Sequence, residues 1–321
     1  MAAIAELPYR LAGRRVWVAG HRGMVGSALV RRLQGTGCEV LTVGRDTLDL
    51  RRQEPVERWL AETRPDAVIL AAGTVGGILA NDSRPVDFLY DNIAIAQNVV
   101  DASWRAGVTK LLSLGSTCIY PRTAPVPTRE DALLTGPLEP TNEWYAIAKI
   151  AGIKLCQAYR RQHGCDFISA MPTNLYGPGD NFDLASSHVV PALMRKFAAA
   201  AEHGGPVEIW GSGRPRREFL HVDDCADACI HLLQHYSDDS HVNVGTGSDI
   251  SIGELAGIIA EVVGYRGELR FDASKPDGAP HRRLDSSLLA GLGWQPRYDL
   301  RRGLVETYDW FRQAAGQRRG G

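Results

Sequence analysis

The sequence predicts an α/β protein with a doubly wound parallel sheet and a smaller mixed α/β lobe. Over the first half of the 321 residues, short apolar runs alternate with longer segments whose apolar residues recur at helical spacing. The short runs are apolar throughout, which is typical of parallel strands that are buried on both faces. The first run ends in a turn that carries three regularly spaced glycines. Together these features favour a sheet covered by helices on both sides.

Five strands and four helices are predicted in alternation along the first half. The strands are Val16–Ala19, Val40–Val43, Ala67–Ala71, Lys110–Leu114 and Phe167–Met171. The helices are Ser27–Leu33, Pro55–Glu62, Val86–Arg105 and Glu143–His163. Because consecutive strands are joined by helices, we expect right-handed crossover connections and a parallel arrangement.

After Pro172 the alternation becomes less regular, and proline and glycine cluster at residues 176–179 and 211–213. A loop with further proline and glycine covers residues 274–281. The elements predicted in this half are helices over 223–234, 252–263 and 302–313 and a short strand over 242–244. We find no internal repeat and expect a smaller lobe with at least one segment that returns to the first sheet.

Composition excludes several classes of protein. Apolar residues make up 44% and charged residues 23% of the chain, as in globular domains. The formal net charge is −1, so no basic excess points to nucleic acid or an anionic membrane. No apolar stretch approaches the roughly 18 residues that a membrane span needs. The charged Glu6 lies where a signal peptide would have its apolar run. We therefore expect a cytoplasmic protein whose six cysteines are reduced thiols.

No metal site is predicted. Cys225 and Cys229 lie one helical turn apart, and His231 and His235 follow them. Cys229 also falls in an apolar stripe, and the chain has no pair of cysteines separated by two residues there. Because structural zinc normally takes four closely organised ligands, we interpret these cysteines as core residues.

The three glycines lie between the first predicted strand and the first predicted helix. The segment reads Gly20-His21-Arg22-Gly23-Met24-Val25-Gly26. At this junction glycines permit a tight turn and let the diphosphate of a dinucleotide approach the helix N-terminus. The spacing predicts a Rossmann fold with a bound dinucleotide.

The end of the second predicted strand indicates which dinucleotide binds. An acidic residue there binds the ribose 2′-hydroxyl of NAD, whereas an arginine accommodates the 2′-phosphate of NADP. Arg45 stands at this position, and Arg22 of the glycine turn supplies a second cation. Guanidinium groups suit phosphate, so the sequence favours NADP(H). The alternative is that both arginines are solvated and Asp46 binds the ribose.

We predict that residues 12–178 plus about 215–248 form the NADP-binding Rossmann domain, and about 179–214 plus 249–316 the substrate lobe.

A tyrosine and a lysine share one face of the helix after the fourth strand. Tyr145 and Lys149 are four residues apart, which places them one turn apart. A free phenol has a pKa of ~10, and a neighbouring ammonium favours its ionised form. We therefore expect Lys149 to lower the pKa of Tyr145 toward neutral. Ser116 and Thr117 follow the fourth strand, where ligands bind in such sheets. A hydroxyl there can donate to a substrate carbonyl.

Taken together, these motifs resemble those of the extended short-chain dehydrogenase/reductases. The match extends to the GDP-L-fucose synthase family, whose members are bifunctional epimerase-reductases. The segments that carry the resemblance are Ala19–Ala28, Gly115–Pro121, Tyr145–Gly152, Met171–Pro178, Arg217–Asp224, Asn243–Gly247 and Lys275–Gly278. They occur in order over nearly the whole chain.

The resemblance implies a role for each site residue. Ser116, Tyr145 and Lys149 would serve a reduction, and Cys118 and His188 an epimerisation. The implied cofactor contacts are Gly20 to Gly26, Arg45, Leu114, Gly115, Ser116, Thr117, Lys149, Pro172, Thr173, Asn174, Leu175 and His188. The implied contacts to the GDP-sugar are Lys196, Trp210, Arg217 and Asp277. Two positions depart from the family pattern: Thr117 replaces a serine but keeps a hydroxyl, and Thr74 replaces a lysine of some bacterial members.

A thiol and an imidazole suit the chemistry of epimerisation. In a 4-keto sugar the C3 and C5 protons are acidified by the adjacent carbonyl and can be removed. Inversion requires a base on one face of the ring and an acid on the other. Cys118 lies two residues beyond Ser116, close to where the carbonyl would bind. We expect a Cys118 thiolate as the base, with protonated His188 as the cation that stabilises it and as the acid.

The resemblance implies that the chain converts GDP-4-keto-6-deoxy-D-mannose to GDP-L-fucose, by C3 and C5 epimerisation and then NADPH reduction at C4. One alternative is a reductase or epimerase of another GDP-4-keto sugar, such as a heptose. A second is a nucleotide-sugar 4-epimerase with tightly held NAD. A third is a dinucleotide-sensing regulator without catalysis. The resemblance also implies a homodimer formed through the helices over 86–105 and 143–163.

Overall fold

The computed structural model describes residues 8–184, 186–275 and 277–319. Its strands are β1 Arg15–Ala19, β2 Glu39–Leu41, β3 Ala67–Leu70, β4 Lys110–Leu114, β5 Asp166–Pro172, β6 Asn174–Tyr176, β7 Val207–Trp210, β8 Arg216–Arg217, β9 Phe219–His221, β10 Val242–Val244, β11 Ile250–Ser251, β12 Leu269–Asp272 and β13 His281–Arg282. Its helices are α1 Met24–Leu33, α2 Gln53–Thr63, α3 Ile78–Ser83, α4 Pro85–Arg105, α5 Glu143–His163, α6 Val189–His203, α7 Val222–His235, α8 Ile252–Val263, α9 Ser287–Gly291 and α10 Leu300–Arg319.

Six strands form the central sheet in the order β10-β5-β4-β3-β1-β2, and every pair is parallel. The chain proceeds from β1 to β2 in one direction and from β3 to β5 in the other, so the order reverses between β1 and β3. Ligands of doubly wound sheets bind outside the strand ends at such a reversal. The predicted Rossmann sheet is therefore confirmed, and β10 returns to its edge.

Helices cover both faces of this sheet. On one face α1 and α7 bury Leu29, Leu33, Cys225 and Leu232 against β1, β4 and β5. On the other face α2, α4 and α5 bury a second cluster that includes Val56, Leu60, Val99 and Cys156. The continuously apolar strands β1 and β3 lie between the two clusters, which explains why they lack an alternating pattern.

The second half of the chain adds a third apolar cluster. Helices α6, α8 and α10 contribute Phe197, Ile259 and Leu304, and β7 contributes Ile209. Short strand pairs complete this region: β7 with β12, β6 with β9, and β8 with both β11 and β13. The division into two domains stays a prediction, because shared strands and helices connect the two halves.

Most predicted elements have close counterparts in the structure. The boundaries of β4, β10, α5 and α8 coincide with the predictions, and α10 extends beyond the predicted end to Arg319. Helix α6 was not predicted, although it buries Met194 and Phe197. Its N-cap residue, His188, makes no side-chain capping hydrogen bond, so the helix lacks the usual start signal in the sequence. No helix among the described residues is long and apolar enough to span a membrane.

Candidate active site

Several of the predicted cofactor and catalytic residues lie at the carboxyl ends of β1, β4 and β5. Gly20 follows β1, Ser116 follows β4, and Thr173 follows β5. In parallel strands these ends meet along one edge of the sheet, so residues far apart in sequence become neighbours. Helix α5 places Tyr145 and Lys149 over the same edge.

The glycine turn leaves no room for side chains. Gly20 has φ +94°, and a Cβ there would lie 2.7 Å from the Ala72 nitrogen. A Cβ on Gly26 would overlap the Gly20 carbonyl oxygen. Gly23 precedes α1 and offers no side-chain cap, so the first N–H groups of the helix are free for an anion. The turn thus fits a dinucleotide diphosphate.

Two arginines lie beyond the end of β2. The Arg22 guanidinium is 2.9 Å from Asp46 Oδ2, and it lies across the backbone of Gly44. Arg45 is exposed next to this pair. Asp46 is therefore paired with Arg22, whereas Arg45 forms no ion pair with any described carboxylate, although its charge contributes to the lowered pKa of Asp49. This arrangement fits a ribose 2′-phosphate better than a 2′-hydroxyl.

Lys149 and Tyr145 stand together as the helical spacing predicted. Lys149 Nζ donates to the Leu114 carbonyl at 2.9 Å and lies 5.6 Å from the centre of the Tyr145 ring. Burial lowers the pKa of Lys149 to about 8, so the ammonium remains predominantly charged at neutral pH. Phe88 packs edge-on against the tyrosine ring at 6.1 Å.

The expectation that the pKa of Tyr145 is brought toward neutral is wrong. Burial raises the pKa of Tyr145 above its usual range, the nearby Cys118 raises it further, and a hydrogen bond with Ser116 opposes both only in part. Sequence cannot report burial, and burial is the larger effect here. Tyr145 therefore keeps its proton at neutral pH, which is the state that a general acid needs.

Cys118 lies in a turn of 3₁₀ helix over Thr117–Ile119, directly after Ser116. Burial raises the pKa of its thiol to about 11, while a hydrogen bond with Ser116 and the charges of Lys149 and Arg282 lower it. The cations that act on Cys118 are thus Lys149 and Arg282, and His188 is not among them. Cys118 rests as a thiol whose ionisation depends on its cationic neighbours.

His188 is the N-cap residue of α6. It is exposed, yet nearby protein atoms lower its pKa by desolvation, so the resting imidazole is neutral at neutral pH and not protonated as expected. The preceding loop is held by the Gly77 N–H, which donates to the Ser186 carbonyl at 3.1 Å. Gly76 in turn lies against Phe88, the residue that packs on Tyr145. A chain of contacts therefore links His188 to the tyrosine.

The segment Pro172 to Leu175 is fixed by a glutamate that sequence analysis did not single out. The Glu218 carbonyl accepts from Asn174 Nδ2 at 2.8 Å and from Thr173 Oγ1 at 3.3 Å. The fully buried Glu218 carboxylate accepts from the backbone N–H groups of Thr246, Gly247 and Leu284 at 2.7, 2.7 and 2.8 Å. One residue thus joins three segments around the cleft.

The residues implied for the GDP-sugar lie in the second half of the chain. Trp210 is 52% exposed, and the ammonium groups of Lys196 and Lys275 lie 5.5 and 5.6 Å from its ring centre. Such a ring can stack on a nucleobase while the lysines face phosphates. Arg217 is half-buried in β8. Asp277 accepts from the Ser212 N–H and hydroxyl at 2.6 and 2.8 Å, so it also fixes the turn after β7.

Two other residues near the site were missed by sequence analysis. Asn92 donates to the Thr74 carbonyl at 2.9 Å and accepts from its N–H at 3.2 Å, which holds the loop after β3. Arg282 is the second cation near Cys118. A polar residue inside an apolar helix stripe is a signal for Asn92, whereas nothing in the sequence distinguishes Arg282 from Arg283. Among the described residues no group of three or more potential metal ligands occurs.

This chain is similar over most of its length to a known family and to curated proteins. Residues 16–245 match the family described as NAD dependent epimerase/dehydratase family. A GDP-L-fucose synthase of Sinorhizobium fredii is 59% identical over 94% of this chain and 97% of that protein. GDP-L-fucose synthase 1 of Arabidopsis thaliana is 57% identical over 92% and 93%.

Solved structures are also similar to this chain over nearly its whole length. The GDP-L-fucose synthetase of Naegleria fowleri bound to NADP superposes with a TM-score of 0.91 at 28% identity, covering 98% of this chain and 99% of that one. A GDP-mannoheptose C4 reductase of Campylobacter jejuni with NADP bound has a TM-score of 0.86 at 36% identity, covering 94% and 98%.

Proposed function

Because this chain belongs to the NAD dependent epimerase/dehydratase family, and within it to the GDP-L-fucose synthases, we propose that it converts GDP-4-keto-6-deoxy-D-mannose to GDP-L-fucose. It inverts C3 and C5 of the sugar and reduces the C4 ketone with NADPH. The observation that carries the proposal is the cluster of Ser116, Cys118, Tyr145 and Lys149 at the end of β4, beside the glycine turn. This cluster holds groups for both steps.

The glycine turn and the two arginines fit NADPH. A Cβ at Gly26 would block the turn, the start of α1 has no side-chain cap, and Arg22 and the exposed Arg45 lie beyond the end of β2, where the 2′-phosphate would bind. When bound, NADPH supplies the hydride for C4. Lys149, which is anchored to the Leu114 carbonyl, would hold the nicotinamide ribose. Thr173 and Asn174, fixed by Glu218, would border the nicotinamide.

The reduction leaves a negative charge on the C4 oxygen, and this chain neutralises it with a proton. Ser116 donates a hydrogen bond to the carbonyl and orients it. Tyr145 is protonated at neutral pH because burial raises its pKa, so it delivers its phenolic proton to the C4 oxygen. Lys149 provides positive charge beneath the tyrosine ring at the moment when the phenolate forms.

In the proposed epimerisation Cys118 and His188 act on opposite faces of the sugar ring. Ser116 polarises the C4 carbonyl, which acidifies the C3 and C5 protons. Cys118 removes a proton as thiolate, and His188 returns one to the other face. At rest Cys118 is a thiol and His188 a neutral imidazole. A proton must therefore leave Cys118 and another must reach His188 before the first abstraction.

Identity favours this substrate over the alternatives. The GDP-L-fucose synthases of Sinorhizobium fredii and Arabidopsis thaliana exceed 56% identity, whereas the heptose C4 reductase is 36% identical. A 4-epimerase with resident NAD does not need Arg45 at the end of β2 or the pair of Cys118 and His188. A binding regulator does not need Ser116, Tyr145 and Lys149 together. The residues and identities thus favour the GDP-L-fucose synthase activity over these alternative functions.

The experiment is incubation with NADPH and GDP-4-keto-6-deoxy-D-mannose in D₂O, with product identification by NMR. Wild-type enzyme should give GDP-L-fucose with deuterium at C3 and C5. Cys118→Ala should reduce the ketone without inverting the sugar, and Tyr145→Phe should exchange both protons while reduction falls about 10²–10⁴-fold. Cys165→Ala, a half-buried cysteine at the far end of the sheet, is the matched control. Deuterium uptake at the wild-type rate by Cys118→Ala would refute the epimerase assignment.

We further propose a cytoplasmic homodimer joined through α4 and α5. These two helices pack on one another and expose large apolar side chains, Val86, Tyr90, Trp104, Trp144 and Ile147. An apolar face of this size on adjacent helices suits a symmetric contact with a second copy. All six cysteines are free thiols, which fits a reducing compartment. Light scattering should give twice the chain mass, and Trp104→Glu should give the monomer mass.

A further inference from the structure

Strand β13 (His281–Arg282) and the two residues that follow it, Arg283 and Leu284, present alternate residues to two different surroundings. His281 Nε2 lies 2.9 Å and Arg283 Nη1 3.5 Å from the same carboxylate, Asp249. Arg216, the partner of His281 in the sheet register, pairs with Asp249 as well. Because successive residues of an extended strand point to opposite faces, Arg282 faces away from this carboxylate.

The opposite face of this strand lies against the catalytic turn. Leu284 packs in one apolar cluster with Ile119 and Tyr120, the two residues that follow Cys118. Arg282 precedes Leu284 by two residues and shares its face. The isolated bridge between Thr128 and Leu284 and the bond from the Leu284 N–H to Glu218 fix the strand in this position. Arg282 is thereby directed toward Cys118.

Arg282 has no carboxylate within 4 Å in the part of the chain that the structure describes. It is half-buried, and its charged neighbours are Arg217 on the adjacent strand, Glu139 and Cys118. An unpaired, half-buried guanidinium is costly unless it stabilises a negative charge. Arg217 cannot supply that charge, and Glu139 also lies near Arg122. The thiolate of Cys118 is a charge that the proposed reaction needs.

Cys118 is faced by Ser116, Tyr145, Lys149 and Arg282. Of these, Ser116 and Tyr145 are neutral. Lys149 is held by the Leu114 carbonyl, and burial lowers its pKa to about 8, so its charge declines at moderately alkaline pH. Arg282 remains charged at any pH that the protein tolerates. It is therefore the permanent cation of this cluster.

We propose that Arg282 is a positioning residue for the epimerisation, which holds the Cys118 sulfur beside a permanent positive charge and so favours the thiolate over the thiol. No bond to Arg282 forms or breaks; the proton that Cys118 loses passes to solvent or to His188. The inference rests on the proposed function only in making that thiolate the base for C3 and C5. The closeness of Arg282 to Cys118 is independent of the substrate.

The first test is the rate of Cys118 alkylation by iodoacetamide as a function of pH, followed by mass spectrometry of the Cys118 peptide in the full-length protein. Arg282→Gln should slow alkylation near pH 8 by about tenfold, the change that one unit of thiol pKa produces. Arg282→Lys should restore most of the rate. Arg283→Gln, which alters the neighbouring residue on the other face, should leave it unchanged. Equal alkylation profiles for wild type and Arg282→Gln would overturn the proposal.

The second test separates this role from substrate binding. Arg282→Gln should slow deuterium uptake at C3 and C5 about as much as it slows alkylation. In the Cys118→Ala background, which only reduces the ketone, adding Arg282→Gln should leave kcat and KM unchanged. A raised KM in that background would show that Arg282 binds substrate and would overturn the proposal. Absence of deuterium uptake in the wild type would instead refute the proposed function, while the alkylation result would stand.

Discussion

Replacing Glu218 with glutamine should cost about 3 kcal/mol of unfolding free energy. The Glu218 carboxylate is fully buried and accepts three backbone N–H groups and the Thr246 hydroxyl. A glutamine can keep the bonds to Thr246 and Gly247 through its single carbonyl oxygen. Its NH₂ group would then face the Leu284 N–H. Because both groups are donors, the Leu284 N–H would lose its acceptor.

The magnitude follows from this one lost acceptor. A hydrogen bond to a charged group contributes about 1.5–3 kcal/mol, and a buried donor left without an acceptor costs about 1–3 kcal/mol. Removal of the charge offsets part of this destabilisation, because burial raises the pKa of Glu218 and thus disfavours its ionised form. A net loss of about 3 kcal/mol remains, a large fraction of the stability of a typical protein.

Urea unfolding followed by tryptophan fluorescence measures this loss. Glu254→Gln is the control, since Glu254 is an exposed member of the capping box of α8 and glutamine serves equally well there. Hydrogen exchange should locate the change, with faster exchange at the Leu284 amide in Glu218→Gln. If Glu218→Gln unfolds within about 1 kcal/mol of wild type, the interpretation of this carboxylate as a junction is wrong.

Three further predictions concern the cofactor turn and the lysine. Arg45→Asp should weaken NADPH binding about tenfold to a hundredfold and leave NADH binding nearly unchanged, as measured by fluorescence titration, with Arg52→Asp as control. Gly26→Ala should abolish NADPH binding, because its Cβ would overlap the Gly20 carbonyl, whereas Gly35→Ala, in open space, should bind normally. In Cys118→Ala, kcat/KM for ketone reduction should fall as pH rises through about 8, where Lys149 loses its proton; a flat profile to about pH 10 would contradict that role.

Local sequence patterns predicted the parts of the molecule that depend on neighbouring residues. The glycine turn, the Tyr145–Lys149 spacing and the buried strands of the main sheet each have a periodicity or a motif that a single segment displays. Their placement at one edge of the sheet followed from the topology of parallel strands. Helix α5, whose two ends were both predicted, positions two of the catalytic candidates.

The remaining features depend on contacts between distant segments. Strands β8 and β13 are two residues long, too short to show alternation, so the junction at Glu218 and the placement of Arg282 could not be predicted. The pKa of Tyr145 was expected to fall because Lys149 is visible in the sequence, whereas the burial that raises it is not. Burial is a property of packing and appears only in three dimensions.

The position of His188 gives the two proposed reactions different structural supports. Ser116 and Cys118 directly follow β4, and Tyr145 and Lys149 lie on α5, which packs against β5 of the central sheet. His188 is the N-cap residue of α6, and the loop before it is held by the Gly77 N–H, which donates to the Ser186 carbonyl. Under the proposed mechanism, protonation of the inverted carbon therefore depends on how this loop is positioned, whereas Tyr145 delivers its proton from a helix packed on the central sheet.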